Sequence, residues 1–203
     1  MLDNAIRRRI DPVLLGMGRW LSDRGATPNG VTLAAFAVGL GAGAAIAAEQ
    51  YWLGLGLILL SRLGDGLDGW VARASSRQSD FGGFLDIVLD FAFYGLVPVA
   101  FALADPDRNA LAAAVLVLTF YVNGASFLAY ATMAEKRGTV ERGSKSLLYT
   151  TGLAEATETI FVFCAMCVFP HAFAWIAYGF ALICAYTTVS RVMLAREAFR
   201  DAT

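Results

Sequence analysis

Four aspartates, Asp65, Asp68, Asp86 and Asp90, stand within 26 residues of a chain that is otherwise compatible with lipid. One carboxylate at membrane depth costs roughly 2.5 to 3.5 kcal/mol on insertion scales, so four together demand compensation. Asp65 and Asp68 are three apart and Asp86 and Asp90 four apart, which puts each pair on one face of its own helix. Two such faces turned toward each other make an all-oxygen cage of the kind that hard divalent cations prefer. Two Mg2+ or Mn2+ ions sharing four carboxylates is the arrangement of two-metal phosphoryl transfer. Gly64, Gly66, Gly69, Gly82 and Gly83 cost helix stability but remove bulk beside the acids, leaving room for a flat or phosphorylated ligand. Arg73 offers a guanidinium for bidentate phosphate pairing, and Ser79 with the start of the next helix offers hydroxyl and backbone donors. Metal, arginine and helix backbone together describe a holder for a nucleotide diphosphate.

Long apolar helices must carry these side chains. Hydrophobic residues make up 58% of the chain and charged ones 16%, with a mean hydropathy of +0.58, a balance that points to a membrane protein. Six apolar segments, at about 30–48, 51–75, 80–104, 108–134, 146–169 and 171–195, each reach the ~20 residues that cross a bilayer core. Ahead of them, residues 2–24 set Ile6, Ile10, Val13, Met17, Trp20 and Leu21 on one side and Arg7, Arg8, Arg9, Arg19 and Arg24 elsewhere, an interfacial pattern. Asp11 and Pro12 read as a cap and first helical residue within it. The expected fold class is an all-α integral membrane protein. It has an N-terminal amphipathic cytosolic or interfacial segment over 1–28 and a six-transmembrane-helix catalytic bundle over 29–203.

The net charge of -1 hides a sorting of charges. Arg73 and Arg77, then Lys136, Arg137, Arg142 and Lys145, then Arg196 and Arg200 fall on the same side as the N-terminal arginines, and the other side holds Arg108. The positive-inside rule then places both termini, and the second and fourth connections, in the cytoplasm. With that topology Asp68 lies roughly 12 Å below Ser76 and Asp86 roughly 9 Å below Asp80, so two helices deliver carboxylates to a similar depth from the cytoplasmic side. Asp80, at the helix start, reads as a cap. Gly39 and Gly43 form a GxxxG that reads as close helix packing. Trp20, Trp52, Trp70 and Trp175 fall near membrane edges, as belt residues do.

Several chemistries are disfavoured. Cys164, Cys167 and Cys184 lie in apolar segments, and the single CxxC has no second pair, so these cysteines read as small hydrophobes. His171 is the only histidine and sits at an outer turn after Pro170, so it assembles no zinc or histidine-based site. The first residues, with Asp3 and the arginine run, lack a cleavable signal pattern, and the first spans are expected to drive insertion. No internal repeat supports an inverted-repeat transporter.

Asp65, Asp68, Gly69, Ala72, Arg73, Gly82, Asp86 and Asp90 fall, without gap or substitution, on the eight fixed positions of the signature of the CDP-alcohol phosphotransferase (CDP-alcohol phosphatidyltransferase) family, class I. The chain resembles that family in its six expected spans as well. The resemblance implies that Asp65, Asp68 and Asp86 bind metal. It also implies that Asp90 completes the second ion site and acts as the base for the acceptor hydroxyl. Gly69, Arg73, Ser79 and Gly82 would line the site of the CDP moiety. Asn29 and Thr32, in Thr27-Pro28-Asn29-Gly30-Val31-Thr32, resemble the family's PNxxT segment and would touch the nucleotide or its phosphates, although Pro-Asn is also an ordinary helix-start signal. The implied activity is transfer of a phosphatidyl group from CDP-diacylglycerol or a related CDP-lipid to a small hydroxylated acceptor, with CMP released. The implied setting is a homodimer among membrane lipids in a bacterial inner membrane, with two divalent cations and no nucleic-acid partner.

The remaining embedded charges are Arg62, three residues before Asp65, and Glu155 and Glu158, three apart on one face of the fifth span. Their structural reading is an ion pair between Arg62 and one of these glutamates or the aspartates; their functional reading is an acceptor pocket. Glycerol phosphate or inositol phosphate as acceptor would call instead for a basic pocket, for which Arg142, Lys145 and Arg191 are candidates. A divalent-cation transporter using the same carboxylates is the alternative of another class. Transport favours polar groups along a path to both faces, whereas these cluster at one side with Arg73 and the glycines.

Overall fold

A computed structural model of the chain describes residues 15–137 and 156–199, and every regular element within them is helical. In chain order these are α1 (residues 15–23), α2 (Pro28–Ala47), α3 (Tyr51–Ala74), α4 (Asp80–Ala104), α5 (Pro106–Lys136), α6 (Ala156–Val168), a short 3-10 turn (Pro170–Ala172) and α7 (Phe173–Ala198).

Local sequence explains where the helices stop and start. Gly25 takes a φ of 84° after α1, its N–H donating to the Ser22 carbonyl (2.9 Å) while that of Ala26 donates to the Leu21 carbonyl (3.1 Å). This is the paired closure that a left-handed glycine allows. Two residues later the Thr27 hydroxyl accepts the Gly30 N–H at 3.2 Å, and Pro28 opens α2 at the one position where a missing N–H is harmless. α3 ends with the same closure on a different residue. Ser76, at φ 54°, donates to the Arg73 carbonyl (3.4 Å), and Arg77 donates to the Ala72 carbonyl (3.0 Å). Ser79 then caps α4, its hydroxyl accepting the Gly82 N–H at 3.1 Å. The cap expected at Asp80 is therefore one residue early in the chain. Asp80 is the acid of the first turn, where it faces the positive end of the helix dipole.

The helices form two compact units. The first holds the chain up to Ala45 together with Trp52–Phe93; the second holds Ile46–Tyr51 and the chain from Tyr94 onward. In the first unit, small residues let α2 approach α3 and α4 closely. A Cβ on Gly64 would stand 3.0 Å from Ala35 Cβ, and one on Gly39 would stand 2.8 Å from the Phe93 ring. The Ser61 hydroxyl donates to the Ala35 carbonyl at 2.8 Å, the small-residue and hydroxyl pattern of helix contacts in lipid. α1 joins α3 where Gly18 meets Trp70, a Cβ there falling 2.9 Å from the Trp70 backbone. Trp70 thus serves packing, while Trp20, Trp52 and Trp175 are exposed, as belt residues are.

In the second unit the core is aromatic. Phe101 stacks on Phe173 (4.6 Å between centroids) and on Tyr51 (5.7 Å), and Phe120 meets Phe163 and Phe180 edge-on. α5 packs along α7, with Arg191 strapping the two.

Among the described residues, four helical stretches, α2, α4, α5 and Pro170–Ala198, are long and apolar enough to cross a bilayer. α3 has the length, at 24 residues, but Arg62, Asp65, Asp68 and Arg73 interrupt its apolar run. α6 covers 13 described residues, and residues 146–155 of the expected fifth span lie outside the described residues, as do residues 1–14 of the N-terminal segment. Large side chains such as Leu111, Phe161, Trp175 and Leu182 are each more than 70% exposed. So much outward apolar surface suits lipid rather than water, and the chain is a multi-pass membrane protein.

Candidate active site

The site lies in the first unit and draws on three helices: Asn29 and Thr32 from the first turns of α2, Asp65, Asp68, Gly69 and Arg73 from α3, and Gly82, Asp86 and Asp90 from α4, with Ser79 at its cap. The three-residue and four-residue spacings place the acids on facing helix sides, as the sequence pattern requires. Carboxylate oxygens of Asp65, Asp68 and Asp86 all lie within 4.8 Å of one another, each residue being partly buried. An all-oxygen set this close, in a chain that crosses lipid, fits a hard divalent cation.

Each acid has a distinct support. The Thr32 hydroxyl, on a side chain buried among its neighbours, donates to Asp68 Oδ2 at 2.6 Å and lies 3.1 Å from the Pro28 carbonyl. Asp90 stands apart from the three-carboxylate group. Its Oδ1 accepts from Arg62 Nη1 at 2.6 Å, and the same nitrogen lies 3.4 Å from Asp65 Oδ2. Arg62 Nη2 donates to Ser61 Oγ at 3.2 Å, the guanidinium rests 4.0 Å above the Phe93 ring, and Nε has no hydrogen-bond partner among the described residues. The ion-pair reading of Arg62 thus holds, with aspartates as the partners.

A cavity of about 200 Å3 opens beside the acids, lined by Asn29, Thr32, Asp68, Gly69, Arg73, Ser79, Gly82 and Asp86, with Arg77 and Gln78 among the others. Every residue expected to hold the nucleotide therefore borders one space. Arg77 and Gln78 had no signal beyond their place in the connection between the two acidic helices. The Arg73 guanidinium lies 4.2 Å over the Trp70 ring, which leaves its edge available to an anion. Two glycines border the cavity for different reasons. A Cβ on Gly82 would press on Asn29 Oδ1 (3.1 Å) and Ser79 Oγ (3.2 Å), so that glycine permits the close approach of α2 and α4. Among the described residues a Cβ on Gly69 would meet only Arg73 Nη2, at 3.7 Å, so their packing does not require that glycine.

The acceptor candidates separate. Arg142, Lys145 and Glu155 lie outside the described residues. Glu158 is exposed in the first turn of α6. Arg191, in the second unit, is buried. Its Nη1 lies 2.8 Å from Asn123 Oδ1, 2.9 Å from the Asn123 carbonyl and 2.7 Å from Ser126 Oγ, so this arginine is engaged in holding α7 to α5. Short connections and their flanking helix ends, on the side of Arg108, also converge within the second unit. Glu49, Tyr51, Asp105, Arg108, Asn109 and His171 border a cavity of about 220 Å3, with Asp105 capping α5 at the Arg108 N–H (3.3 Å).

Residues 26–190 match the family model described as CDP-alcohol phosphatidyltransferase. The chain is 47% identical over 194 residues to "Inner membrane protein YnjF" of Escherichia coli (strain K12), covering 95% of this chain and 94% of that one. It is 40% identical over 93 residues to an archaetidylinositol phosphate synthase of Methanothermobacter thermautotrophicus, covering 45% of this chain and 44% of the relative. Among solved structures, that of Mycobacterium tuberculosis phosphatidylinositol phosphate synthase with CDP-DAG bound superposes with a TM-score of 0.76 at 19% identity, covering 95% of this chain and 99% of that chain. At that identity the likeness speaks to the fold.

Proposed function

The chain belongs to the CDP-alcohol phosphatidyltransferase family, and we propose from this that it transfers the phosphatidyl group of CDP-diacylglycerol to a small hydroxylated acceptor, releasing CMP. The observation that carries the reading is the convergence of three carboxylates within 4.8 Å beside a cavity of about 200 Å3 that Arg73 borders. Asp65, Asp68 and Asp86 would hold divalent cations, two Mg2+ or Mn2+, with Asp90 completing the second ion site. When bound, such ions supply Lewis-acid polarisation of the donor pyrophosphate.

The chain's own groups account for the rest. Arg73, Ser79 and the first N–H groups of α4 bind the pyrophosphate, and Asn29, Thr32, Gly69 and Gly82 shape the space for the cytidine end. Asp90 takes the proton of the acceptor hydroxyl. The hydroxyl oxygen forms a bond to the phosphorus that carries diacylglycerol, the bond from that phosphorus to the bridging oxygen breaks, and CMP departs with the bridging oxygen. Acyl chains remain in the bilayer throughout, which is the physical reason to build the site on membrane helices.

The same reading takes α3 and the segment around α6 as two further spans, giving six. It places the site and both termini at the cytoplasmic side of a bacterial inner membrane, which the E. coli relative's name favours, and pairs the protein as a homodimer. A phosphorylated inositol is a second reading of the acceptor, favoured by the names of the archaeal relative and the mycobacterial neighbour. Purified protein supplied with CDP-diacylglycerol, Mg2+ or Mn2+ and a panel of acceptors, neutral, amine-bearing and phosphorylated, decides between these by mass spectrometry of the lipid products and CMP release. Absence of metal-dependent CMP release with every acceptor counts against the transfer itself.

A further inference from the structure

Arg62 is not one of the eight signature positions, yet it makes the shortest ion pair in the site. It lies one helical turn before Asp65, so α3 turns both side chains to the same face. Only 8% of its side chain is exposed, an expensive place for a cation. The group is fixed from three directions: Nη1 on Asp90 Oδ1, Nη2 on Ser61 Oγ, and the guanidinium plane on the Phe93 ring. Both non-acidic supports are themselves anchored to α2, Ser61 through the Ala35 carbonyl and Phe93 through its contact with Gly39. The clamp is thus part of the closest packing in the unit.

Stability alone does not account for it. Among the described residues, Arg62 Nε is buried without a hydrogen-bond partner, and an unsatisfied buried donor costs on the order of 1–3 kcal/mol. A brace selected only to hold helices together would be cheaper as an apolar contact. What the arrangement does provide is a fixed orientation for one carboxylate. Asp90 Oδ1 is held by Arg62, while Oδ2 accepts no hydrogen bond among the described residues.

We propose that Arg62 is a positioning residue for the transfer reaction: it locks Asp90 through one carboxylate oxygen and turns the other toward the second ion site and the acceptor hydroxyl bound there. The inference rests on the assignment of Asp90 as the proton acceptor. A guanidinium suits the task because its planar fork reaches an aspartate and a serine at once while stacking on a ring, which a lysine ammonium does not. As a cation beside Asp90 and Asp65, Arg62 also lessens the attraction of the acids for metal.

Those two effects have opposite signatures on removal, and a structural brace has neither. The test uses the full-length protein in detergent or bilayer discs with Arg62→Met, Arg62→Gln and Arg62→Lys, and Asp90→Asn alongside. CMP release gives kcat and the KM for donor and acceptor, and Mn2+ titration without substrate gives the metal Kd. Arg62→Met and Arg62→Gln are expected to lower kcat about 10- to 100-fold, the scale of a misplaced reacting group, with each KM within about threefold of the parent. Mn2+ should bind as tightly as to the parent or more so, since the acids lose their competing cation. Arg62→Lys should recover part of kcat. Parental kcat in the Met and Gln variants overturns the proposal, and so does a kcat loss accompanied by weakened Mn2+ binding with no recovery in the lysine variant, the pattern of a collapsed site. Turnover by Asp90→Asn at the parental rate sinks the underlying assignment instead, so the two failures are told apart.

Discussion

Removing one hydroxyl tests whether the pairing between α2 and α3 organises the acids proposed to hold metal. In Thr32→Val the side chain keeps its shape, and the group lost is the donor lying 2.6 Å from Asp68 Oδ2. Thr32 is only 4% exposed, so little water replaces the hydroxyl on its own side, while Asp68 is partly open to the cavity. A hydrogen bond to a charged partner contributes about 1.5–3 kcal/mol, and partial solvation of the acid argues for the lower end. At 1.4 kcal/mol per decade, that is about a tenfold effect. It should appear in the Mn2+ or Mg2+ concentration needed for half-maximal CMP release, because a carboxylate that has lost its orienting donor is a poorer ligand. Thr32→Ser should return the metal dependence to within about threefold of the parent, since the donor is restored. A raised KM for CDP-diacylglycerol in Thr32→Val with unchanged metal activation would rule this role out, because that pattern means the hydroxyl serves the nucleotide directly.

Three further outcomes follow from the same geometry. Gly82→Val places branched bulk where a Cβ already meets Asn29 Oδ1 and Ser79 Oγ at 3.1 and 3.2 Å; donor KM should rise or activity disappear, whereas Gly69→Ala, with 3.7 Å to Arg73, should fold normally, as thermal unfolding and donor titration will show. Ser76→Gly relieves a side chain held at φ 54° and should stabilise the protein by about 1 kcal/mol, read as a higher unfolding midpoint with unchanged turnover. Arg73→Lys keeps the charge but loses the fork, so the KM for CDP-diacylglycerol should rise about tenfold, measured at saturating acceptor; an unchanged KM removes Arg73 from the pyrophosphate site.

Local chemistry explains what was legible beforehand. The spacing of Asp65, Asp68, Asp86 and Asp90 assigns them to two helix faces because helical periodicity is a property of the chain itself. Pro28 and Asn29 announce the start of α2 because a helix start depends on a residue and its next few neighbours. Of the six apolar segments expected, four correspond to helical stretches that are long and apolar enough to cross a bilayer among the described residues, and α3 reaches spanning length with four charges in it.

Choices between partners on different helices were not legible. Arg62 had glutamates and aspartates within the same embedded set, and its pairing with Asp90 depends on the rotation of α3 against α4, which no single segment encodes. Thr32 could read as a nucleotide contact or as a helix-start residue; its bond to Asp68 exists because small residues at Ala35 and Gly64 bring α2 against α3. Ser79 rather than Asp80 caps α4 because the closure after Ser76 sets where the next helix begins. Sequence by itself determined which groups exist, which share a face and which lipid-compatible helices carry them. Tertiary structure alone decided that three acids meet within 4.8 Å while the fourth is claimed by Arg62. Helix register and depth of approach set those distances, and they are settled by packing summed over whole helices rather than by any residue's neighbours in the chain.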